Sequence, residues 1–213
     1  AFRMAHDSDP FNRWEAGQRF AIDTMRSMVD QLQSGNSLNP SDTFVAAWGQ
    51  VLTDVSVDPA FRALLMTLPS EDNLADAMNI ADVSAVHKVR QHLRRALAQA
   101  FEEVLDAIAT RADASNQFSP DAASAGQRAE RAAALGYLAA LPGGAKRALS
   151  VYHAANNMTD RMSALAALND QPGDARTEAM AAFHDRYAND PLTLDKWFVL
   201  TATAPGPDAL TDI

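Results

Sequence analysis

Apolar residues recur at intervals of three and four along most of the chain, which is the pattern of amphipathic α-helices. The clearest case runs from Asp82 to about Arg111, where one apolar stripe continues for roughly eight turns, or about 45 Å. We therefore predict a single long helix over this segment. No convincing pattern of alternating apolar and polar residues indicates a strand. The stripe consists of Val86, Val89, Leu93, Leu97, Ala100, Val104, Leu105 and Ile108.

Short polar residues mark where the helices begin. Asp9, Asn39 and Asp58 each precede a proline, and Ser70 opens the segment SEDNLADAM. Such side chains can accept from the free amides of a first helical turn, and proline at the first helical position leaves no amide unpaired. The predicted helices cover residues 10–34, 40–54, 59–68, 70–78, 82–111, 122–141, 145–155, 158–168, 175–187 and 194–204. The small side chains of residues 122–141 should let neighbouring helices approach closely.

About ten helices joined by short connections favour antiparallel helix pairs stacked in sequence order. Composition does not shift along the chain, so we expect one all-α domain over residues 1–213. A repeat of fixed length is not visible, which favours an irregular α-solenoid of the armadillo or HEAT kind. The first residue is not methionine, and Pro205 to Pro207 leads into Asp208–Ile213 as if another helix began. We therefore expect the chain to be a fragment of a longer protein.

Composition and charge narrow the classes of function. Apolar residues make up 47% of the chain and cysteine is absent, which suits a folded protein in a reducing, cytoplasmic compartment. No apolar run has the length of a membrane span. The net charge of −9 disfavours nucleic-acid binding by the chain as a whole. A dense basic cluster, His87 to Arg95, is interpreted as the solvated side of the long helix, because Glu102, Glu103 and Asp106 continue that side with opposite sign. An acidic partner or a phosphate is the alternative.

Catalytic motifs are missing from the sequence. His87 and His92 lie five residues apart, which separates them by about 140° around a helix. They are therefore expected not to share a metal, and the His-Glu-x-x-His spacing of zinc peptidases does not occur. Neither a Gly-rich phosphate loop nor a Gly-x-Ser-x-Gly nucleophile motif is present. We predict no catalytic, cofactor-binding or metal-binding residue in this chain.

The hexapeptide NNMTDR, Asn156 to Arg161, stands between two predicted helices. Asn156 is expected to end the first helix in a left-handed conformation, which asparagine tolerates better than most residues. Asn157 is expected to cap the second helix, with Asp160 at its third position complementing the positive helix end. Met158 and Met162 can then pack across the corner. This interpretation makes the hexapeptide a structural corner rather than a ligand site.

Three separated segments, in this order, resemble the C-terminal helical domain of bacterial aminopeptidase N, of the alanyl aminopeptidase family. They are SDPFNRWEAGQ (Ser8–Gln18), HAANNMTDRMSALAAL (His153–Leu168) and DPLTLDKWFVLTA (Asp190–Ala202). TLPSEDNLAD (Thr67–Asp76) is similar to the same family. The likeness covers nearly the whole chain, and it implies that residues 1–213 are the leading part of a longer C-terminal domain.

The resemblance implies a zinc metallopeptidase that removes N-terminal residues from peptides. Zinc and the His-Glu-x-x-His and Gly-Ala-Met-Glu-Asn motifs would belong to a separate catalytic domain, and a small β-sandwich would precede the helical domain. The helical domain would be non-catalytic, and would scaffold and enclose the peptide-binding cavity. Its partners would be those two domains and the peptide substrate, with possible self-association through the C-terminal helices. The alternative is a free-standing α-solenoid that binds a protein partner.

The segments that carry the resemblance are assigned structural roles. Asp9 should cap the first helix, and Trp14 should supply apolar area on its buried face. Asn157 and Asp160 form the corner already described. Trp197, together with Phe198, should lie on the inner side of the last helix, because burial of aromatic side chains stabilises a core.

Overall fold

The computed structural model describes residues 1–111 and 118–205. These residues form twelve α-helices, and no strand occurs among them. The helix start expected at Asp208–Ile213 lies wholly outside the described residues. The helices are α1 (Phe2–His6), α2 (Pro10–Gln33), α3 (Asp42–Thr53), α4 (Pro59–Met66), α5 (Glu71–Asp76), α6 (Val83–Ala100), α7 (Glu102–Ala109), α8 (Ala122–Leu138), α9 (Gly144–Ala154), α10 (Met158–Asn169), α11 (Asp174–Tyr187) and α12 (Pro191–Ala202).

The all-α prediction is confirmed, and two helices exceed the expected number. The first is α1, a short helix that packs on α2. The second arises because the predicted long helix is interrupted at Phe101, whose backbone has φ −129° and ψ 27°. The Phe101 ring lies 5.5 Å from the Trp48 ring, between centroids, and a Cβ on Gly49 would come within 2.4 Å of it. Contact with α3 therefore accompanies the interruption, and Ala100, assigned to the buried stripe, is exposed.

Two helix starts also differ from prediction. The α3 helix begins at Asp42 because the Ser41 hydroxyl, not Asn39, accepts from a first-turn amide. The α12 helix begins at Pro191 rather than Leu194, because Asp190 caps it and accepts from the Thr193 amide at 3.2 Å. Hydrogen bonds from the Thr193 hydroxyl and amide hold the pKa of the Asp190 carboxyl below its ordinary value.

Consecutive helices pack as pairs, and α8 joins the two halves of the fold. It packs against α4, α6 and α7 on one side and against α10 on the other. Tyr137 of α8 belongs to the first hydrophobic cluster, which includes Trp48 and Leu93. Leu135 of the same helix belongs to the second, which includes Phe183. An irregular solenoid therefore contains two cores that share one helix.

The contact between α4 and α8 is close and polar. A Cβ on Gly126 would lie 3.0 Å from the Ala60 amide nitrogen, so glycine permits the approach expected of this small-residue helix. Glu130, only 1% exposed, accepts from the Nε of Arg62 with one carboxylate oxygen. Its other oxygen accepts from Nη1 of Arg111 at 2.9 Å. A buried ion pair therefore joins the two helices, and a more exposed arginine completes it.

Candidate functional site

The predicted corner between α9 and α10 is present. The Asn157 side-chain oxygen accepts from the Asp160 amide at 2.9 Å, and its Nδ2 donates to the Asp160 carboxylate at 2.7 Å. The α9 helix ends at Ala154, and Ala155 is extended with φ −64° and ψ 122°. The chain thus leaves the helix one residue before Asn156, so the prediction that Asn156 ends it is wrong. Met158 and Met162 pack against the second cluster, as expected.

Arg161, the last residue of the hexapeptide, was missed by sequence reasoning. It is 7% exposed, and its guanidinium donates to the Ala155 carbonyl and to the Tyr187 hydroxyl, the latter at 3.1 Å. It also lies 5.9 Å from the centre of the Tyr152 ring. One side chain thereby connects α9, α10 and α11. One sequence feature does indicate its burial. Arg161 lies seven residues before Leu168, which is buried, and this spacing places both side chains on one face of α10.

A cavity of about 190 Å³ lies beside this corner, between α7, α8, α9 and α10. Its two charged groups face one another, with Arg131 Nη2 and an Asp160 carboxylate oxygen 3.7 Å apart. The Ser163 hydroxyl donates to the Thr159 carbonyl at 2.9 Å. No base contacts that hydroxyl in the described residues, so the cavity lacks the arrangement of an activated nucleophile. Its lining is Ala109, Arg131, Ala132, Leu135, Val151, Ala154, Ala155, Asp160 and Ser163.

The corner geometry gives a direct test of the structural interpretation. Asn157→Ala should lower the free energy of unfolding by about 1 kcal/mol, because the Asp160 amide loses its acceptor. Asn156→Ala is the matched control, since Asn156 is exposed and only accepts from Asn157 Nδ2 at 3.0 Å. Urea unfolding followed by circular dichroism measures both. Equal losses for the two variants would contradict the assignment of Asn157 as the cap.

At the start of α2, Asp9 is at the predicted cap position and Trp14 is not buried. The Asp9 carboxylate accepts from the Asn12 amide at 3.1 Å. Arg13 ties the helix to its neighbours, donating to the Met4 carbonyl at 3.2 Å and to Asp54 at 3.4 Å. The Trp14 side chain remains 38% exposed, so the prediction of burial is wrong. Further along that face of α2, the buried positions begin at Gly17, which the Met4 side chain covers.

At the other end of the chain, Trp197 is partly buried but Phe198 is not. Trp197 Nε1 donates to the Met180 carbonyl at 3.0 Å, and its ring centre lies 5.1 Å from that of His184. Both contacts join α12 to α11. Phe198 is exposed, contrary to prediction. Adjacent helical positions differ by about 100°, so the two aromatic side chains cannot both point inward.

The basic run of α6 lies along an open cleft instead of on a convex solvated side. His87, Lys88 and Gln91 line two adjoining cavities of about 560 and 510 Å³. The expected acidic continuation, Glu102 to Asp106, belongs to α7 beyond the break at Phe101. His92 also lines the second cavity, together with His87. We call the joined cavities the α6 cleft.

The whole chain matches one known protein family. The family model described as "Domain of unknown function (DUF3458_C) ARM repeats" matches residues 1–213. The chain belongs to this family. Its armadillo repeats agree with the irregular solenoid seen in the described residues, so the predicted fold class is confirmed by family and structure together.

Similar proteins bear out the resemblance to aminopeptidase N. This DUF3458_C chain is 38% identical to aminopeptidase N of Caulobacter vibrioides, over 96% of the chain and 24% of that protein. It is 32% identical to aminopeptidase N of Escherichia coli, over 100% of the chain and 24% of that protein. A crystal structure of Legionella pneumophila aminopeptidase A in complex with aspartic acid matches with a TM-score of 0.80 and 24% identity. That match covers 98% of the chain and 25% of the solved one and shows the shared fold.

The matches cover only part of the length of each relative. The DUF3458_C chain spans about a quarter of the length of the curated relatives it matches. It therefore corresponds to one part of aminopeptidases of that kind. Within residues 1–111 and 118–205, no helix is both long and apolar enough to cross a membrane.

The segment TLPS (Thr67–Ser70), which formed part of the resemblance, connects three helices of this ARM-repeat chain. We call it the TLPS corner. Ser70 caps α5. The Thr67 carbonyl accepts from Gln18 of α2 at 2.8 Å, and the Pro69 carbonyl accepts from Arg90 of α6 at 2.8 Å. Its role in the described structure is therefore architectural.

His87 and His153 of the DUF3458_C chain each form a pair with one carboxylate. His87 lies 2.9 Å from Glu71 and His153 lies 2.8 Å from Glu178, each between the closest nitrogen and oxygen. In the part of the chain that the structure describes, no three His, Asp or Glu side chains could hold an ion together. Zinc proteins use three or four such ligands. These residues therefore do not fit a zinc centre.

Proposed function

We propose that this chain is part of the helical C-terminal domain of an aminopeptidase N-like zinc metallopeptidase. The observation that carries the proposal is the similarity of nearly the whole chain to aminopeptidases N from two bacteria. In this proposal the domain is non-catalytic, and it scaffolds and encloses the peptide-binding cavity. The free-standing binding module is disfavoured because the relatives continue well beyond the matched region.

The parent protein is proposed to be a cytoplasmic enzyme that releases N-terminal residues from peptides. Zinc would be held by its catalytic domain, because the described residues here offer no group of three ligands. The catalytic and β-sandwich domains would be the direct partners of this chain. Phe2, Phe11 and Trp14 are exposed aromatic side chains on α1 and the start of α2, and contact with another domain would remove them from water.

Activity and metal content test whether zinc binding and catalysis belong to another domain of the parent protein. The purified 213-residue chain should retain no stoichiometric zinc after dialysis and should not cleave an alanyl chromogenic substrate. The longer polypeptide from the same gene should retain zinc and should cleave that substrate. Atomic absorption measures the zinc content of both proteins, and the rate of chromophore release measures their activity. Metal-dependent turnover by the short chain, or none by the long one, would overturn the proposal.

We further propose that the isolated chain self-associates through α12. Leu192, Phe198 and Val199 are exposed there, and Leu192 and Val199 line an open groove against α10 of about 710 Å³. Exposed apolar area of this kind favours association. Sedimentation velocity over a concentration series should show dimers, which Val199→Asp should remove.

Val55→Asp is the matched control for this experiment, since Val55 is also exposed but lies between α3 and α4. It should leave the dimers in place. A chain that stays monomeric at all concentrations, or one whose dimers respond equally to both substitutions, would exclude association through this groove.

A further inference from the structure

The α6 cleft is bounded by several parts of the fold. Its two cavities share His87, Lys88, Gln91 and Asp170, so they form one continuous depression. The α6 helix supplies its floor. The walls come from α5, the end of α2 and the connection that follows it, the connection between α10 and α11, and the residues after α12. They comprise Glu71, Leu32, Leu38, Gln171, Pro172, Thr203 and Pro205.

Positive charge remains in the α6 cleft after its acidic residues are paired. Glu71 contacts His87 at 2.9 Å, and Asp170 accepts from Arg94. Lys88 and His92 have no partner among the described residues. Arg90 and Arg95 donate through Nε to backbone carbonyls, of Pro69 at 2.8 Å and Ala140 at 3.4 Å, which leaves their charges without a carboxylate. This concentration of unpaired cations occurs in a chain whose net charge is −9.

The spacing of the cleft side chains indicates the shape of a complementary ligand. Lys88, Gln91, His92 and Arg95 lie at positions i, i+3, i+4 and i+7, which form one stripe on a helix. Lys88 and Arg95 are thus two turns, or about 10 Å, apart along α6. A single phosphate would pair with both only if the two long side chains converged on it, whereas a ligand with two negative groups spaced two helical turns apart would pair with each in place. An extended peptide in the polyproline II conformation has three residues per turn and rises about 3.1 Å per residue, so its side chains at i and i+3 lie on one side and are separated by about 9 Å.

We propose that the α6 cleft binds an extended acidic peptide segment. Two carboxylates three residues apart pair with Lys88 and Arg95, and Gln91 and His92 hydrogen-bond to the peptide backbone between them. The basic run is therefore a recognition stripe, not a solvated side. This proposal does not depend on the proposed function, because the peptide is bound by this chain alone.

Fluorescence anisotropy with a labelled, end-blocked peptide Gly-Gly-Glu-Gly-Gly-Glu-Gly-Gly tests the proposal at low ionic strength. Lys88→Gln and Arg95→Gln should each weaken binding about three- to fivefold, and together at least about tenfold, as expected for exposed ion pairs. Lys146→Gln is the charge-matched control, since Lys146 is exposed on α9 outside the cleft. It should change the affinity less than about twofold. Melting temperatures of all variants verify that each remains folded.

Peptide variants separate this site from a diffuse basic patch. Replacing both glutamates by glutamine should abolish binding, and placing them at adjacent positions should weaken it to the level of a single glutamate. Equal binding of the adjacent and spaced peptides would overturn the proposal. So would an equal loss in Lys146→Gln, or displacement of the peptide by inorganic phosphate more effectively than by chloride at matched ionic strength.

Discussion

Glu130→Ala should lower the free energy of unfolding by about 3–5 kcal/mol, because it leaves the charge of Arg62 buried without its partner. Arg62 is 5% exposed, and Glu130 supplies the acceptor for its Nε. The other hydrogen bond of the guanidinium goes to a neutral group, the Asp54 carbonyl, at 2.6 Å. The α4–α8 contact, which joins the first core to the shared helix, would therefore weaken.

Urea unfolding with matched variants isolates the buried charge. Glu103→Ala removes an exposed glutamate from the first turn of α7 and should cost less than about 1 kcal/mol. The double substitution Arg62→Met with Glu130→Leu should recover most of the stability, since apolar pairs of similar volume replace buried ion pairs at little cost. A loss below about 1 kcal/mol in Glu130→Ala would place the pair in the weak class of surface ion pairs.

Features set by local sequence were predictable from the chain. The caps at Asp9, Asp58, Ser70 and Asn157 occur as expected, because each side chain reaches an amide only two or three residues ahead. Helix type followed from the period of the apolar residues. The Asp190 cap was missed although it has the same Asp-Pro form, which shows that the error lay in where the helix was started.

Features set by contacts between distant residues were not predictable in this way. The interruption at Phe101 involves Trp48 and Gly49 in another helix, and no local residue of the Asp82–Arg111 segment marks it. Trp14 lies on the apolar stripe of α2, yet it stays exposed because the buried contacts begin at Gly17. Periodicity identifies which side of a helix is apolar, but burial depends on which neighbours extend over it.

The same distinction applies to the candidate sites. NNMTDR was interpretable because a cap is local, whereas Arg161 reaches Tyr187 of α11 and its role required the tertiary structure. The basic run of α6 was visible in the sequence, but its concave surroundings come from residues as distant as Asp170 and Pro205. Within the segments that carried the family resemblance, Arg13, Arg161 and Trp197 contact neighbouring helices, and such contacts indicate a fold without indicating chemistry.

Among the described glycines, Gly144 leaves the least room for a side chain, at the point where α9 begins against the end of α8. A Cβ at this position would lie 2.1 Å from the Leu138 carbonyl oxygen and 2.6 Å from that of Ala139. Both atoms belong to the backbone, so neither can rotate away. The sequence predicted only that Pro142-Gly143-Gly144 would break the chain; the structure shows that its two glycines serve different purposes.

Gly144→Ala should therefore lower the free energy of unfolding by about 3 kcal/mol, because α9 must separate from α8 to admit the methyl group. Gly143 provides the control, since it has φ +80° and nothing within 4 Å of an added Cβ. Gly143→Ala should cost about 1–2 kcal/mol through its left-handed backbone alone, and Gly143→Asn less. Urea unfolding compares all three. If Gly144→Ala were no more destabilising than Gly143→Asn, the α8–α9 junction would have to be able to open without disturbing the second core, and the close contact would not be a constraint on this fold.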